Sequence, residues 1–306
     1  FRADDQRASW VLTWLMCSLA GEVALRALRR WPGADLPRLV LVGALYGWVV
    51  EGVVASTVYS APPFTLIWTG VAWHGLLTVV LGWWALPRAV VVGGRGAWLL
   101  CGAVGIAWGL WSAGWWAAPP DAGQDAAAPD LAAYALFVVV VCAAAGAGYV
   151  VMHACAPRGR DLTTRAGLVV VLGLLGVWGA LVVVATIPWA PLLLAALAAL
   201  VVLSLRRLGP TESASLSLPL GFEPGIPWRR IAPTALVPVL AVATYAALVP
   251  FATTEPGTGP FYVLIVAMIA VLSLAGTVAL VWSLWRTWRR PAAVDDVSGP
   301  RAAAAR

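Results

Sequence analysis

Nine runs of mainly apolar residues divide this chain, at about 8–28, 36–59, 62–86, 97–117, 130–153, 164–186, 188–205, 231–251 and 260–286. A run of about 20 apolar residues matches the thickness of a bilayer's hydrocarbon core. With no water there, the backbone must satisfy its own polar groups, so each run folds as a helix. The expected fold class is all-α, a polytopic integral membrane protein of about nine transmembrane helices. It is read as one helical domain over 1–290, followed by a disordered cytoplasmic tail over 291–306 that is rich in Ala, Arg and Asp.

Arginine sets the expected orientation. Of 20 basic residues, all arginine, 18 fall in or at the edges of alternate gaps or in the tail, leaving only Arg2 and Arg7 elsewhere. Loops rich in Arg stay on the cytoplasmic side during insertion, which gives an N-out, C-in topology. Arg29, Arg30 and Arg38, then Arg88 and Arg95, then Arg158, Arg160 and Arg165, then Arg206, Arg207, Arg229 and Arg230 mark the inner side. The other gaps are short or acidic: 60–62, 121–130, 188–191 and the stretch around Glu255. The Pro188–Pro191 turn is read as separating two helices, because one kinked helix would put Arg206 and Arg207 outside.

The 61% hydrophobic and 11% charged composition departs from the roughly one-quarter charged balance of soluble domains. The net charge of +6 is accounted for by helix-flanking arginines, so no nucleic-acid partner is expected. The absence of Lys and the abundance of Ala, Gly, Val and Leu suit a GC-rich bacterial genome, and the expected location is the bacterial inner, or plasma, membrane. Cys17, Cys101, Cys142 and Cys155 fall in helices or on the cytoplasmic side and are expected as free thiols. The chain starts at Phe1, so a signal peptide or a further helix is expected to precede it.

Tryptophan, 19 residues, gathers near the ends of the runs as interfacial anchors, while Trp48, Trp68, Trp73, Trp108 and Trp178 lie deeper. Those five either pack the bundle or line a substrate path. Gly43 and Gly47, Gly105 and Gly109, and the Gly173, Gly176, Gly179 series are spaced for close helix packing. The connection from Leu208 to Arg230 reads as a linker or as a flap on the membrane surface.

Charge inside a span is costly, about 2.5–3.5 kcal/mol at a helix centre on insertion scales. Three ionisable residues lie there. Glu22 precedes Arg26 by one turn and is read as a structural pair. Glu51 and His74 sit in the second and third runs at depths that differ by one helical turn, roughly 12 and 18 Å below the outer boundary. Neighbouring antiparallel helices could bring them together. Such a pair is either a structural contact or a proton or ligand site, because imidazole changes charge near neutral pH and burial favours the protonated form of a carboxyl. On the third run, Gly70, His74 and Thr78 form a stripe at four-residue spacing.

The residues expected to act are therefore Glu51 and His74, with Tyr46, Trp48, Tyr59, Thr69 and Trp73 lining a pocket for substrate. No metal is expected, since His153 and Cys155 add at most two ligands, and no cofactor is expected. Phosphate-binding loops, nucleophile elbows, HExxH and aspartate-rich diphosphate motifs are absent. Three classes of function remain open. A proton-coupled transporter of a hydrophobic or weakly basic small molecule stands first. An intramembrane enzyme using the pair as acid and base on a lipid or isoprenoid follows, and then a non-catalytic subunit with partner membrane proteins. Membrane lipids are expected as contacts in every case.

Overall fold

The computed structural model describes residues 7–31, 35–117, 128–155, 165–208, 228–253 and 257–289, with side chains of 7–10 and 151–155 left aside. Nine helices there are long and apolar enough to cross a bilayer. They are α1 (Arg7–Arg30), α2 (Leu36–Val54), α3 (Leu66–Val92), α4 (Arg95–Trp115), α5 (Leu131–Cys155), α6 (Arg165–Val184), α7 (Ala190–Leu208), α8 (Trp228–Ala252) and α9 (Pro260–Arg289). No strand occurs among the described residues. The predicted flap or linker between Leu208 and Arg230, the stretch around Glu255 and the 291–306 tail lie largely or wholly outside the described residues.

The bundle is organised around α2. Pro37 to Trp48 are all buried, as in a helix that is apolar all round and enclosed by others. Asp35 caps it by accepting from the Arg38 N–H, and Pro37 fits the first turn, where no N–H is needed. Arg38 is a correction to the sequence reading. It stands inside that first turn, fully buried, rather than in a boundary loop. Helices α1, α3, α7 and α9 pack around α2. On α1, Ala20 and Ala24, one turn apart, form the buried face.

Helices α4, α5 and α8 form a second group. Gly105 and Gly109 of α4 lie against backbone carbonyls of α8, a close approach that a side chain would prevent. Tyr134 of α5 stacks on Tyr245 of α8 with ring centroids 3.8 Å apart, and the Tyr245 hydroxyl donates to the Pro129 carbonyl at 3.0 Å.

The contact between α2 and α3 depends on unequal winding. Over Leu66–Ala85, α3 makes wide i→i+5 turns, whereas α2 is an ordinary α-helix up to Val49. Gly43 and Gly47, four apart, therefore meet Gly75 and Gly70, five apart. Gly70 and Gly75 thus share the α2 face of α3 with His74, which lies between them and meets Glu51 and Tyr46 of α2.

Other boundaries shift for local reasons. Helix α2 stops at Val54, because Ser56 adopts a left-handed φ of 56° and Thr57–Tyr59 form a 3₁₀ turn. Helix α3 runs past Pro87 and Arg88 to Val92. Gly93 and Gly94, at φ 75° and 78°, then reverse the chain into α4 in a conformation that other residues rarely adopt. Helices α6 and α7 are separate, as the Pro188–Pro191 turn requires. The Gly173 and Gly176 reading fails among the described residues, because a Cβ added at either would meet no atom of a neighbouring element within 4 Å. They lie on α6, a helix whose exposed Val169, Val170, Leu172, Leu174 and Leu181 leave it little packed against the bundle.

Five arginines at one end of the bundle lie over tryptophan rings: Arg30 on Trp31, Arg88 on Trp84, Arg207 on Trp288, Arg286 on Trp282 and Arg289 on Trp285. These are cation–π contacts between groups that both suit an interface. Glu22 and Arg26 form the expected pair at 2.7 Å. Cys17, Cys101 and Cys142 are free thiols, while the side chain of Cys155 is outside the described residues.

Candidate functional site

Glu51 and His74 meet, with Oε1 of Glu51 2.7 Å from Nε2 of His74. Two features of local structure bring them together. The wide turns of α3 climb less per residue than an α-helix, which reduces the difference in depth expected from the sequence. Glu51 itself sits in a wide turn at the end of α2, over Val50–Val54. The left-handed Ser56 then folds the chain back so that the Thr57 hydroxyl donates to the second carboxylate oxygen of Glu51. Glu51 is 8% exposed, so each carboxylate oxygen has one partner in a nearly dry setting.

Nδ1 of His74 is buried with no hydrogen-bond partner among the described residues. An orphaned N–H is rarer in proteins than an orphaned acceptor. The geometry therefore favours the tautomer that carries its proton on Nε2 and donates to Glu51, an assignment from the hydrogen-bond pattern.

Of the residues expected to line a pocket, three act as scaffold. Tyr46 sets its ring edge-on to His74 at 5.6 Å and also packs on Trp83. Trp48 lies on Gly70 and donates through Nε1 to the Leu66 carbonyl at 2.9 Å. The Tyr59 hydroxyl donates to the Gly52 carbonyl at 3.0 Å, satisfying an acceptor that the helix end leaves open. Leu194 and Tyr59 fill the space beside Gly52.

Thr69 and Trp73 do line a cavity. It measures about 420 Å³, is partly open, and lies where the α2 group meets the α4–α5–α8 group. That is within the roughly 300–1,000 Å³ usual for small-ligand sites. Glu51 forms part of its wall, and His74 does not. The pair is thus layered residue by residue, with Glu51 in the cavity wall and His74 outside it.

Half of the lining residues are tryptophan: Trp68 and Trp73 from α3, and Trp108, Trp111 and Trp115 from α4, followed by Trp116. Trp73 and Trp111 have ring centroids 4.8 Å apart, Trp68 and Trp111 5.6 Å, and Trp68 and Trp73 5.9 Å. Ser112 and Tyr134 add hydroxyls. The sequence reading treated Trp115 and Trp116 as interfacial anchors and left the role of Trp108 open. The overlooked signal is their spacing, since Trp108, Trp111, Ser112 and Trp115 recur at three- and four-residue steps and so share one face of α4.

His153 and Cys155 have no described side chains. Among the described residues, no group of three or more His, Cys, Asp or Glu could hold a metal ion. Compared with protein family models, with curated proteins and with solved structures, the chain matches none.

Proposed function

We propose that this chain is a proton-coupled transporter of a hydrophobic, weakly basic small molecule, set N-out and C-in in a bacterial inner membrane. One observation carries the reading. Glu51, a buried acid in the last turn of an apolar helix, lines a tryptophan-walled cavity on one side and bonds to an imidazole on the other. Intramembrane carboxylates of this kind serve as proton or cation sites. A proton arriving on the pair is shared between Glu51 and His74, while a substrate in the cavity touches Glu51 alone.

The layering gives less support to an acid–base enzyme, which needs both groups within reach of its substrate. The predicted outer end of the bundle coincides with the cavity, because Leu66, Trp115 and Leu131 lie at the ends of their helices on the side opposite the arginine–tryptophan pairs. Substrate then enters from the outer half of the bilayer.

Proteoliposomes holding the purified protein test this, with an imposed pH gradient and a panel of lipophilic amines. The wild type moves at least one amine in a gradient-dependent way, and Glu51→Gln at matched protein content does not. Gradient-independent movement, or equal movement by the Gln variant, overturns the reading.

A further inference from the structure

The charges around the cavity define what it can hold. Among the described residues Glu51 is the single charged one in its lining, and its hydrogen-bond partners, Thr57 and the Nε2-protonated imidazole of His74, are neutral. No described arginine lines the cavity, and the chain has no lysine. The unprotonated site therefore carries one negative charge in an apolar setting, and a buried charge of this kind needs either a proton or a counter-ion. Beside it stand the π faces of tryptophan, the best aromatic partner for a cation. Trp68, Trp73 and Trp111 meet at interplanar angles of 42° to 57°, so they do not cover one another's faces by stacking.

We infer that the cavity is an organic-cation site. An alkylated ammonium head lies against Trp68, Trp73 and Trp111 with Glu51 as its counter-ion, and one proton on the Glu51–His74 pair displaces it. This rests on the transport reading and specifies its substrate as the charged form of the base. The balance is simple. With the cation bound, Glu51 is ionised, His74 is neutral, and the site is neutral overall. When one proton enters the pair, the site is neutral again without the cation, so exchange is one for one and electroneutral.

The other titrating groups on the packed elements do not interrupt this relay. Helix α1 brings the Cys17 thiol and α2 the Tyr46 phenol within electrostatic reach of Glu51. The cavity wall adds the Tyr134 phenol. Helix α6, which packs on the Glu51 turn, has one ionisable residue, Arg165 at its first position, and α7 has Arg206 and Arg207 in its last turn.

The test uses the full chain in detergent, with tryptophan fluorescence and calorimetry reporting binding of tetramethyl- to tetrabutylammonium, and of choline beside its uncharged isostere 3,3-dimethylbutan-1-ol. The expected result is saturable binding of at least one ammonium, weakened as pH falls, and no comparable binding of the alcohol. Trp111→Leu and Trp73→Leu should each weaken ammonium binding by roughly 2- to 30-fold. Glu51→Gln should abolish it with an unchanged gel-filtration profile. If no ammonium binds, if the alcohol binds as well as choline, or if both Trp variants bind normally, the inference is overturned. Ammonium binding without gradient-driven movement in liposomes would keep the inference and overturn the transport reading instead.

Discussion

Adding one methyl group at Gly47 should break the crossing that sets the site. A Cβ there would lie 2.6 Å from the Gly70 carbonyl carbon and 2.9 Å from its Cα. Carbon atoms in contact prefer about 3.5–4.0 Å, so α2 and α3 must part by about 1 Å. The obstruction is backbone, so no side chain can swing aside. Overpacking of this kind costs about 1–3 kcal/mol. The same movement stretches the 2.7 Å Glu51–His74 contact and the 2.9 Å Trp48–Leu66 bond past hydrogen-bonding range. Losing a bond to a charged group adds about 1.5–3 kcal/mol, so the expected destabilisation is about 2.5–6 kcal/mol. Reversible unfolding in mixed micelles of rising SDS content measures it. Gly173→Ala and Gly176→Ala are the controls, since an added Cβ at either position would meet no described neighbour within 4 Å. They should be neutral or slightly stabilising, because Ala favours a helix more than Gly. If Gly47→Ala unfolds together with the controls, the close α2–α3 crossing is wrong.

Thr57→Val should lower stability by about 1–3 kcal/mol in the same assay, because a nearly buried carboxylate oxygen loses its donor, and Thr57→Ser should restore it. An unchanged Val variant would show that the hydroxyl does not hold Glu51. Tyr245→Phe should cost about 1 kcal/mol by releasing the Pro129 carbonyl at the cavity rim while keeping the stack on Tyr134. A loss several times larger would mean that the stack also depends on that hydroxyl. In a chain with its native cysteines replaced, thiols introduced near Ala122 and near Ser215 should label from opposite faces of intact cells. Labelling from the same face would refute the topology drawn from arginine placement.

Membrane-length helices were legible because hydropathy reports directly on burial in lipid, and the Glu51–His74 contact was legible because two isolated polar residues sat in adjoining spans at similar depth. The winding of α3 was hidden. A four-residue pattern looks helical in sequence, and only the meeting of Gly43 and Gly47 with Gly75 and Gly70 reveals the five-residue period. Arg38 misled because an arginine beside a span reads as a loop residue, whereas tertiary packing encloses the start of α2. Gly173 and Gly176 misled because small-residue spacing permits close packing without supplying a neighbour. Tyr46, Trp48 and Tyr59 were grouped with the ligand site by proximity in sequence, yet each is turned to bond or pack within the α2–α3 corner. The α4 tryptophans were overlooked for the opposite reason, lying far from Glu51 along the chain and next to it across the cavity.

The central claim is that Glu51 and His74 hold one proton between them at the edge of the tryptophan-lined cavity. Difference infrared spectroscopy of the purified protein, recorded as pH is lowered, reads that proton directly through carboxyl and imidazole bands. The account predicts one acid-induced spectral change that Glu51→Gln and His74→Gln each remove or shift, and that a bound tetra-alkylammonium suppresses. If both variants give the full wild-type difference spectrum, the two residues share no proton, and their contact serves only to hold α2 against α3.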